Sequence, residues 1–96
     1  MSDLQIELEE NGNKGRYVHA AGGVEAEMTF VRIGEKQIII DHTEVPSQFR
    51  GQGVGEALVA RAVEDARKNG WKIRPLCPFA ASRFRRHPEW ADVLAA

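Results

Sequence analysis

Polar and apolar residues alternate along most of the first 45 positions. This period of two runs through residues 4–8, 16–20, 24–33 and 36–45, and it is typical of strands that bury one face. Short turns rich in Asn and Gly separate the segments, such as ENGNKG at 10–15, because both residues tolerate positive φ. The pattern therefore predicts four strands joined by short turns, which is an antiparallel meander.

The spacing of apolar residues becomes helical after residue 53. The apolar positions that share one helical face are Val54, Ala57, Leu58, Val59, Ala62, Val63 and Ala66. Arg61 and Asp65 carry opposite charges at i,i+4 spacing, and Asn69-Gly70 has the composition of a C-terminal cap. These features predict one long amphipathic helix over residues 54–69.

The last third of the chain predicts a strand and two short helices. WKIRPL at 71–76 is typical of a strand, and Pro75 near its end indicates an edge position or the strand's termination. PFAASRFRR at 78–86 predicts a helix with proline in its first turn, and 88–96 predicts a final short helix. The fold class is therefore α+β, with the fifth strand parallel to the fourth because a helix connects them.

Composition narrows the class of protein. A chain of 96 residues with 43% hydrophobic and 28% charged residues is expected to be one soluble domain. The net charge of −1 gives no general attraction to nucleic acid or anionic membranes. The single cysteine excludes an internal disulfide, and no Cys/His spacing predicts a metal site. Without an apolar run or a signal-like start, we expect a cytoplasmic protein.

The segment VPSQFRGQGVGEALV at 45–59 carries the strongest chemical signal. Gly51, Gly53 and Gly55 directly precede and begin the long helix, whose first main-chain N–H groups have no internal partners. Glycine lets a ligand approach such groups closely, and the helix dipole favours an anion there. Arg50 adds a positive charge. The segment therefore predicts a phosphate or pyrophosphate site, although loop and cap glycines without a ligand remain the alternative.

The glycine spacing matches neither the Walker pattern nor the dinucleotide pattern Gly-x-Gly-x-x-Gly. It does match Arg-x-x-Gly-x-Gly at Arg50, Gly53 and Gly55. Together with DHTEVPSQFRGQGVGEAL and WKIRPLCPFAASRFRRHPEW, this motif resembles the GNAT superfamily of N-acetyltransferases over roughly residues 36–90. The motifs Cys-Pro-Phe-Ala and Arg-His-Pro-Glu resemble a short, single-domain branch of that superfamily.

The resemblance implies a GNAT-like fold over 1–96, truncated because the two strands that usually follow are not expected in residues 91–96. It implies binding of acetyl-CoA or CoA, with the pyrophosphate on the glycine loop and the pantetheine arm along main chain near Thr43, Glu44 and Val45. The residues expected to contact the cosubstrate are Thr43, Val45, Arg50, Gly51, Gln52, Gly53, Val54, Gly55, Phe79 and Arg86.

Three residues are candidates for the chemistry. Cys77 occupies the position of the family's pantetheine-binding asparagine, and Phe84 replaces the tyrosine that usually protonates the leaving thiolate. Cys77 is therefore a candidate acid or acyl-accepting nucleophile, unless it only lines the cleft. His42 and Glu44 are candidate bases. By the period-2 rule we expect both on one strand face with Ile38 and Ile40, where a histidine is often a plain core residue.

These considerations leave three classes of function. The first is an acyl-CoA-dependent N-acyltransferase, which transfers acetyl from acetyl-CoA to a primary amine, with a protein as one possible acceptor. The second is a CoA or acyl-CoA binding module without catalysis, which Phe84 favours. A nucleic-acid adaptor would rely on Arg83, Arg85, Arg86 and Trp90, but a single basic cluster in an acidic chain is weak support for it. No membrane partner is expected.

Overall fold

A computed structural model describes residues 4–95 of the protein. Five strands and two α-helices form its framework. The strands are β1 (Glu7–Asn11), β2 (Lys14–Ala21), β3 (Val24–Ile33), β4 (Gln37–Glu44) and β5 (Lys72–Pro75). The helices are α1 (Val54–Asn69) and α2 (Pro78–Arg86), with 3₁₀ turns at Ser47–Phe49 and Pro88–Val93.

The five strands form one sheet in the order β1-β2-β3-β4-β5. The first four pair antiparallel, and β5 pairs parallel to β4 after the crossover through α1. This is the topology that the sequence predicts. The bounds of β3, α1 and α2 also coincide with the predicted segments. Pro75 is the last residue of β5, at the edge of the sheet, as expected of a residue that cannot donate to a ladder.

Both helices pack on one face of the sheet, which we call the inner face. Its buried side chains include Tyr17, Met28, Phe30, Ile38, Ile40 and Ile73 from the strands. Leu58, Val59, Ala62 and Val63 of α1 and Phe84 of α2 belong to the same hydrophobic cluster. The opposite, outer face carries mostly exposed or half-buried side chains. The hydrophobic core therefore lies between the sheet and one layer of helices.

A β-bulge interrupts β4 at Asp41. Thr29 pairs with His42 while Phe30 pairs with Ile40, so Asp41 has no counterpart on β3. The hydroxyl of Thr29 donates a hydrogen bond of 2.6 Å to the Asp41 carboxylate, which stabilises the bulged conformation. Such an extra residue moves every following side chain to the opposite face.

The bulge makes one sequence prediction wrong. His42 and Glu44 do not share a face with Ile38 and Ile40, because they lie on the outer face with their side chains 59% and 68% exposed. Thr43 instead turns toward the inner face. Strict alternation through Asp41 assigned His42 and Glu44 to the wrong side of the sheet.

Strands β4 and β5 diverge beyond Ile40. The Ile40 carbonyl accepts hydrogen bonds from the N–H groups of both Leu76 and Cys77, at 3.0 and 3.1 Å. Within residues 4–95 no strand pairs with the β5-facing edge of β4 beyond this point. A gap therefore opens between the end of β4 and the start of α2.

The bounds of β1, β2, β4 and β5 differ from the predicted ones by one or more residues, and two further segments differ in kind. The first strand begins at Glu7 rather than Leu4, the final segment forms a 3₁₀ helix, and the 3₁₀ turn Ser47–Phe49 lacks a periodic signal. Ala96, at the end of the predicted last helix, lies outside the described residues. None of the helices in the described part of the chain is long and apolar enough to cross a bilayer.

Candidate active site

The glycine loop between β4 and α1 depends on two left-handed residues. Gly51 has φ of 78° and Gly53, the N-cap of α1, has φ of 73°. An added Cβ atom would meet nothing within 4 Å at either position, so the requirement for glycine here is conformational rather than steric. The two residues turn the chain from β4 into the start of α1.

Several main-chain N–H groups of this loop have no acceptor in the described part of the chain. They belong to Gly51, Gly53, Val54, Gly55 and Glu56. The N–H groups of Arg50 and Gln52 are not free, because they donate to the carbonyls of Ser47 and Phe49. The N–H groups at the start of α1 are therefore unpaired, as expected of a helix N-terminus, whereas those of Arg50 and Gln52 are not. The free groups form a concentration of donors at the positive end of α1.

Gly55 has a different role from the other two glycines. It is helical, and a Cβ atom at this position would lie 2.5 Å from the Cζ atom of Phe79. The third glycine therefore makes room for an aromatic ring of α2 rather than for a left-handed backbone. The sequence analysis predicted that all three glycines let a ligand approach the main chain, and it did not identify the contact between Gly55 and Phe79.

A cavity of about 210 Å³ lies against the loop. Seven of the predicted contact residues line it, namely Val45, Arg50, Gly51, Gly53, Val54, Gly55 and Phe79. Thr43, Gln52 and Arg86 do not. The side chain of Gln52 instead donates to the carbonyl of Gln48, at 3.1 Å.

Arg83, rather than the predicted Arg86, is the arginine of α2 that lines the cavity. It follows Phe79 by four residues and so lies on the same helical face, with its guanidinium carbon 5.1 Å from the centre of the Phe79 ring. Arg86 lies almost a turn further along α2 and is exposed. Arg50 and Arg83 are thus the two cations at this cavity.

Glu56, in the first turn of α1, is the carboxylate of the cavity. It pairs with Arg83 at 3.1 Å and with the Nε2 atom of His87. Burial alone would raise the pKa of Glu56, but hydrogen bonds from His87 and Arg83 outweigh it and hold the pKa below its usual value. His87 also contacts Glu89 at 2.8 Å, and these two carboxylates raise the pKa of His87. No local sequence period links Glu56 to residues some thirty positions away, so the sequence did not indicate this network.

The gap between β4 and α2 is lined by Cys77 and Thr43. Cys77 is the N-cap of α2, is 5% exposed, and donates a hydrogen bond of 3.3 Å from Sγ to the Thr43 hydroxyl. His42 and Glu44 lie on the outer side of the same stretch of β4, with Nε2 and Oε1 3.7 Å apart. The gap is thus bordered by a thiol on one face of the sheet and by an imidazole on the other.

No tyrosine hydroxyl lies at the gap. Phe84, where the resemblance implies a tyrosine, is 6% exposed and packs edge-on against Trp90 with ring centres 5.6 Å apart. Tyr17 is fully buried and donates a hydrogen bond of 2.8 Å to Asp65 of α1. Burial together with the hydrogen bond to Asp65 raises the pKa of Tyr17 far above its ordinary value. Both aromatic residues are therefore structural.

The outer face has a larger depression, of about 530 Å³, around Arg16, Thr29 and Val31. Several polar groups beside it are already paired: Arg16 contacts Glu9 at 2.8 Å, and the Thr29 hydroxyl is bound by Asp41. The glycine loop, in contrast, offers unpaired donors. We therefore take the loop cavity and the adjoining gap as the candidate active site.

Glu27, His42 and Glu44 bring ligand atoms within 4.8 Å of one another on the outer face. The side chains of His42 and Glu44 are mostly exposed, and surface carboxylates commonly gather without binding an ion. We therefore treat this group as a set of charged residues beside the gap.

Comparison with known proteins identifies the family. Residues 16–93 match the family model described as GCN5-related N-acetyl-transferase. The fold is similar to that of a GCN5-like candidate N-acetyltransferase from Staphylococcus aureus, solved by NMR. The two share 34% identity with a TM-score of 0.70, over 100% of this chain and 92% of that one.

A curated relative, Protein NATD1 of Xenopus tropicalis, is 27% identical over 63 residues, which are 66% of this chain. The matched segment spans 58% of the length of that relative. The family model covers most of the chain, and the structural similarity covers all of it. The protein belongs to the GCN5-related N-acetyltransferase family.

Proposed function

We propose that the protein is an acetyl-CoA-dependent N-acetyltransferase that acetylates a primary amine. The observation that carries this proposal is the group of unpaired N–H donors at Gly51 and residues 53–56, which face a cavity also lined by Arg50 and Arg83. A diphosphate has the charge and the acceptor oxygens that such a group of donors selects. The family to which the chain belongs supports the same assignment.

The free edge of β4 supports a cosubstrate with an amide-bearing arm. Beyond Ile40 this edge pairs with no strand among residues 4–95, and it leads from the gap at Thr43 to the cavity at Val45. An extended chain with amide groups can add to such an edge through main-chain hydrogen bonds. The pantetheine arm of CoA carries two amides and would connect the diphosphate at the loop to a thioester at the gap.

Acetyl transfer requires two proton movements, for which the gap offers candidates. The amine nitrogen forms a bond to the acetyl carbon, the carbon–sulfur bond breaks, the amine loses a proton and the thiolate gains one. His42 or Glu44 on the outer side is our candidate for the base. Cys77, whose thiol already donates to Thr43, is our candidate for the donor to the leaving thiolate. If Cys77 instead accepts the acetyl group first, the amine attacks an S-acetyl cysteine.

The acceptor is expected to approach from the outer face. That face is open beside the gap, since the side chains of His42 and Glu44 are largely exposed and Leu76 is 62% exposed. Among residues 4–95, neither the loop cavity nor the outer depression encloses a small acceptor beside the gap. We therefore propose an exposed lysine or N-terminus of another protein as the acceptor, with transfer taking place in the cytoplasm.

A binding module without catalysis is the second candidate function. The observation that favours it is Phe84, which is buried against Trp90 where the family places an acidic hydroxyl. The cavity and the loop would be the same in both cases. The enzyme and the binding module can therefore be distinguished only by measuring whether acetyl-CoA is turned over.

Binding and turnover can be measured on the same preparation. Calorimetry with CoA should show saturable binding, and amide NMR shifts should concentrate at Gly51 and residues 53–56. Incubation with acetyl-CoA and lysine-containing peptides should then release free CoA thiol and acetylate the peptide. Binding without any turnover would support the module, and turnover of free polyamines but of no polypeptide would refute the protein acceptor. Unmoved loop amides at saturating CoA would overturn both candidates.

A further inference from the structure

Glu56 is a carboxylate in a cavity built from donors and cations. It lies in the first turn of α1, beside the unpaired N–H groups, and its own N–H is one of them. Its side chain is 36% exposed, so it is neither buried in the core nor directed fully into solvent. The other charged side chains that line this cavity, Arg50 and Arg83, are cations, so a carboxylate among them calls for a role.

The carboxylate of Glu56 binds two partners, one at each oxygen. One oxygen accepts from Arg83 at 3.1 Å and the other contacts His87 Nε2. Arg83 is 19% exposed and is the cation of α2 at the cavity, so Glu56 engages a charge that a ligand phosphate would otherwise contact. His87 gives Glu56 a second partner outside the cavity lining.

We propose that Glu56 is an internal counter-anion, which pairs with Arg83 in the free protein and releases it to the diphosphate of the bound ligand. The inference rests on the proposed function in that the ligand is a CoA-type diphosphate. On binding, Arg83 changes partner from a carboxylate to a phosphate, while Glu56 keeps its contact with His87. Glu56 and His87 are positioning residues, and Arg83 is the ligand-binding one.

The arrangement couples ligand affinity to the charge of His87. The charged groups in contact with His87 are Glu56 of α1 and Glu89 of the C-terminal 3₁₀ segment, and Arg83 of α2 shares the Glu56 carboxylate. The ring of His87 stacks on Trp90, with ring centres 3.9 Å apart. A protonated imidazole neutralises Glu56 and frees Arg83, whereas a neutral one leaves Glu56 dependent on Arg83. The diphosphate should therefore bind more tightly as pH falls and His87 gains its proton.

The test uses dephospho-CoA, whose diphosphate has no group that titrates near neutrality, unlike the 3′-phosphate of CoA. Calorimetry on the full chain would compare the wild type, Glu56→Gln, Arg83→Gln and the double variant. We expect Glu56→Gln to bind about threefold to tenfold more tightly, in line with coupling between contacting charges. The gain should disappear in the Arg83→Gln background.

Glu64→Gln is the matched control for simple charge removal, because Glu64 is an exposed glutamate of the same helix, eight residues further along. Its affinity for dephospho-CoA should equal that of the wild type. A general repulsion by Glu56 predicts that the gain survives when Arg83 is absent. That result, or an unchanged affinity in Glu56→Gln, overturns the inference.

The pH dependence gives a second readout. Between pH 8 and pH 6 the wild-type affinity should increase, and the increase should be absent in His87→Gln, with circular dichroism confirming that both remain folded. An equal increase in both proteins contradicts the role of His87.

Inorganic pyrophosphate separates this inference from the proposed function. If the wild type binds pyrophosphate but neither CoA nor dephospho-CoA, the proposed function fails, and the same variants with pyrophosphate decide the counter-anion role. Binding of none of the three overturns both.

Discussion

The ring of Phe79 lies so close to the main chain of Gly55 that a Cβ atom on Gly55 would come within 2.5 Å of the ring's Cζ atom. The guanidinium carbon of Arg83 lies 5.1 Å from the centre of the same ring. A single aromatic side chain therefore links the first turn of α1 to the cation of α2. The two helices can approach this closely at the cavity because residue 55 is glycine and has no Cβ atom.

Gly55→Ala should displace the Phe79 ring. The steric cost of overpacking, about 1–3 kcal/mol, should exceed the gain of about 1 kcal/mol that alanine brings to a helix. Urea unfolding should therefore show a net loss of stability, and affinity for CoA should fall because the ring lines the cavity. Adding Phe79→Leu should restore part of the stability. An equal or higher stability in Gly55→Ala would mean that the ring moves away without cost.

Gly53→Ala should destabilise the protein through its backbone alone. Residue 53 has φ of 73°, and the left-handed region costs a residue with a Cβ atom about 1–2 kcal/mol. Asparagine tolerates this region and is a favoured N-cap, so Gly53→Asn is the matched control and should lose less. Equal losses in the two variants, measured by urea unfolding, would show that backbone conformation is not what requires glycine.

Tyr17→Phe should test the buried contact between β2 and α1. The variant removes a hydrogen bond of 2.8 Å to Asp65, and Asp65 keeps its ion pair with Arg61 at 3.2 Å. We therefore expect a loss of only about 1 kcal/mol in urea unfolding, typical of one net hydrogen bond. A loss several times larger would indicate that Arg61 does not satisfy the remaining carboxylate.

His87 should make stability depend on pH. The contacts with Glu89 and Glu56 raise the pKa of His87 above its ordinary value of 6.5, so the folded state binds the proton more tightly than the unfolded state. The resulting stabilisation is present in full below pH 6.5 and is lost as pH rises through the raised pKa. The difference in unfolding free energy between wild type and His87→Gln should therefore be larger at pH 5.5 than at pH 8.5. A difference that does not change with pH would contradict the raised pKa.

Cys77→Ala should lower the rate of acetyl transfer if the thiol supplies the proton to the leaving group, by about 10²-fold or more. Binding of CoA should change little, because Cys77 does not line the cavity. Mass spectrometry of denatured wild type after incubation with acetyl-CoA should detect an acetylated Cys77 peptide only if the thiol is a nucleophile. Full activity of Cys77→Ala would exclude both roles.

The elements of the fold could be predicted because their signals are local. The helical spacing and the i,i+4 pair of Arg61 and Asp65 identified α1, and their ion pair is present at 3.2 Å. Proline in the first turn identified the start of α2, and Pro75 indicated where β5 ends. The left-handed Gly53 was also foreseeable, since it lies directly before an amphipathic helix.

The parts that could not be predicted depend on residues far apart in the chain. The bulge at Asp41 becomes visible only when β4 is paired with β3, and it exchanges the faces of His42 and Thr43. The requirement for Gly55 comes from Phe79, and the charge of Glu56 is balanced by Arg83 and His87. The spacing of residues within one segment does not indicate such contacts. For this reason the sequence analysis proposed Arg86 as a contact of the cosubstrate, whereas Arg83 is the arginine of α2 that lines the cavity.

The carbonyl of Ile40 accepts two N–H donors, from Leu76 and Cys77. Both lone pairs of this oxygen accept hydrogen bonds, and the parallel pairing of β4 with β5 ends at this residue. The gap is therefore already open in the free protein, so the binding of a cosubstrate should not need a prior separation of the two strands. Association should then proceed in a single kinetic phase without a preceding opening step.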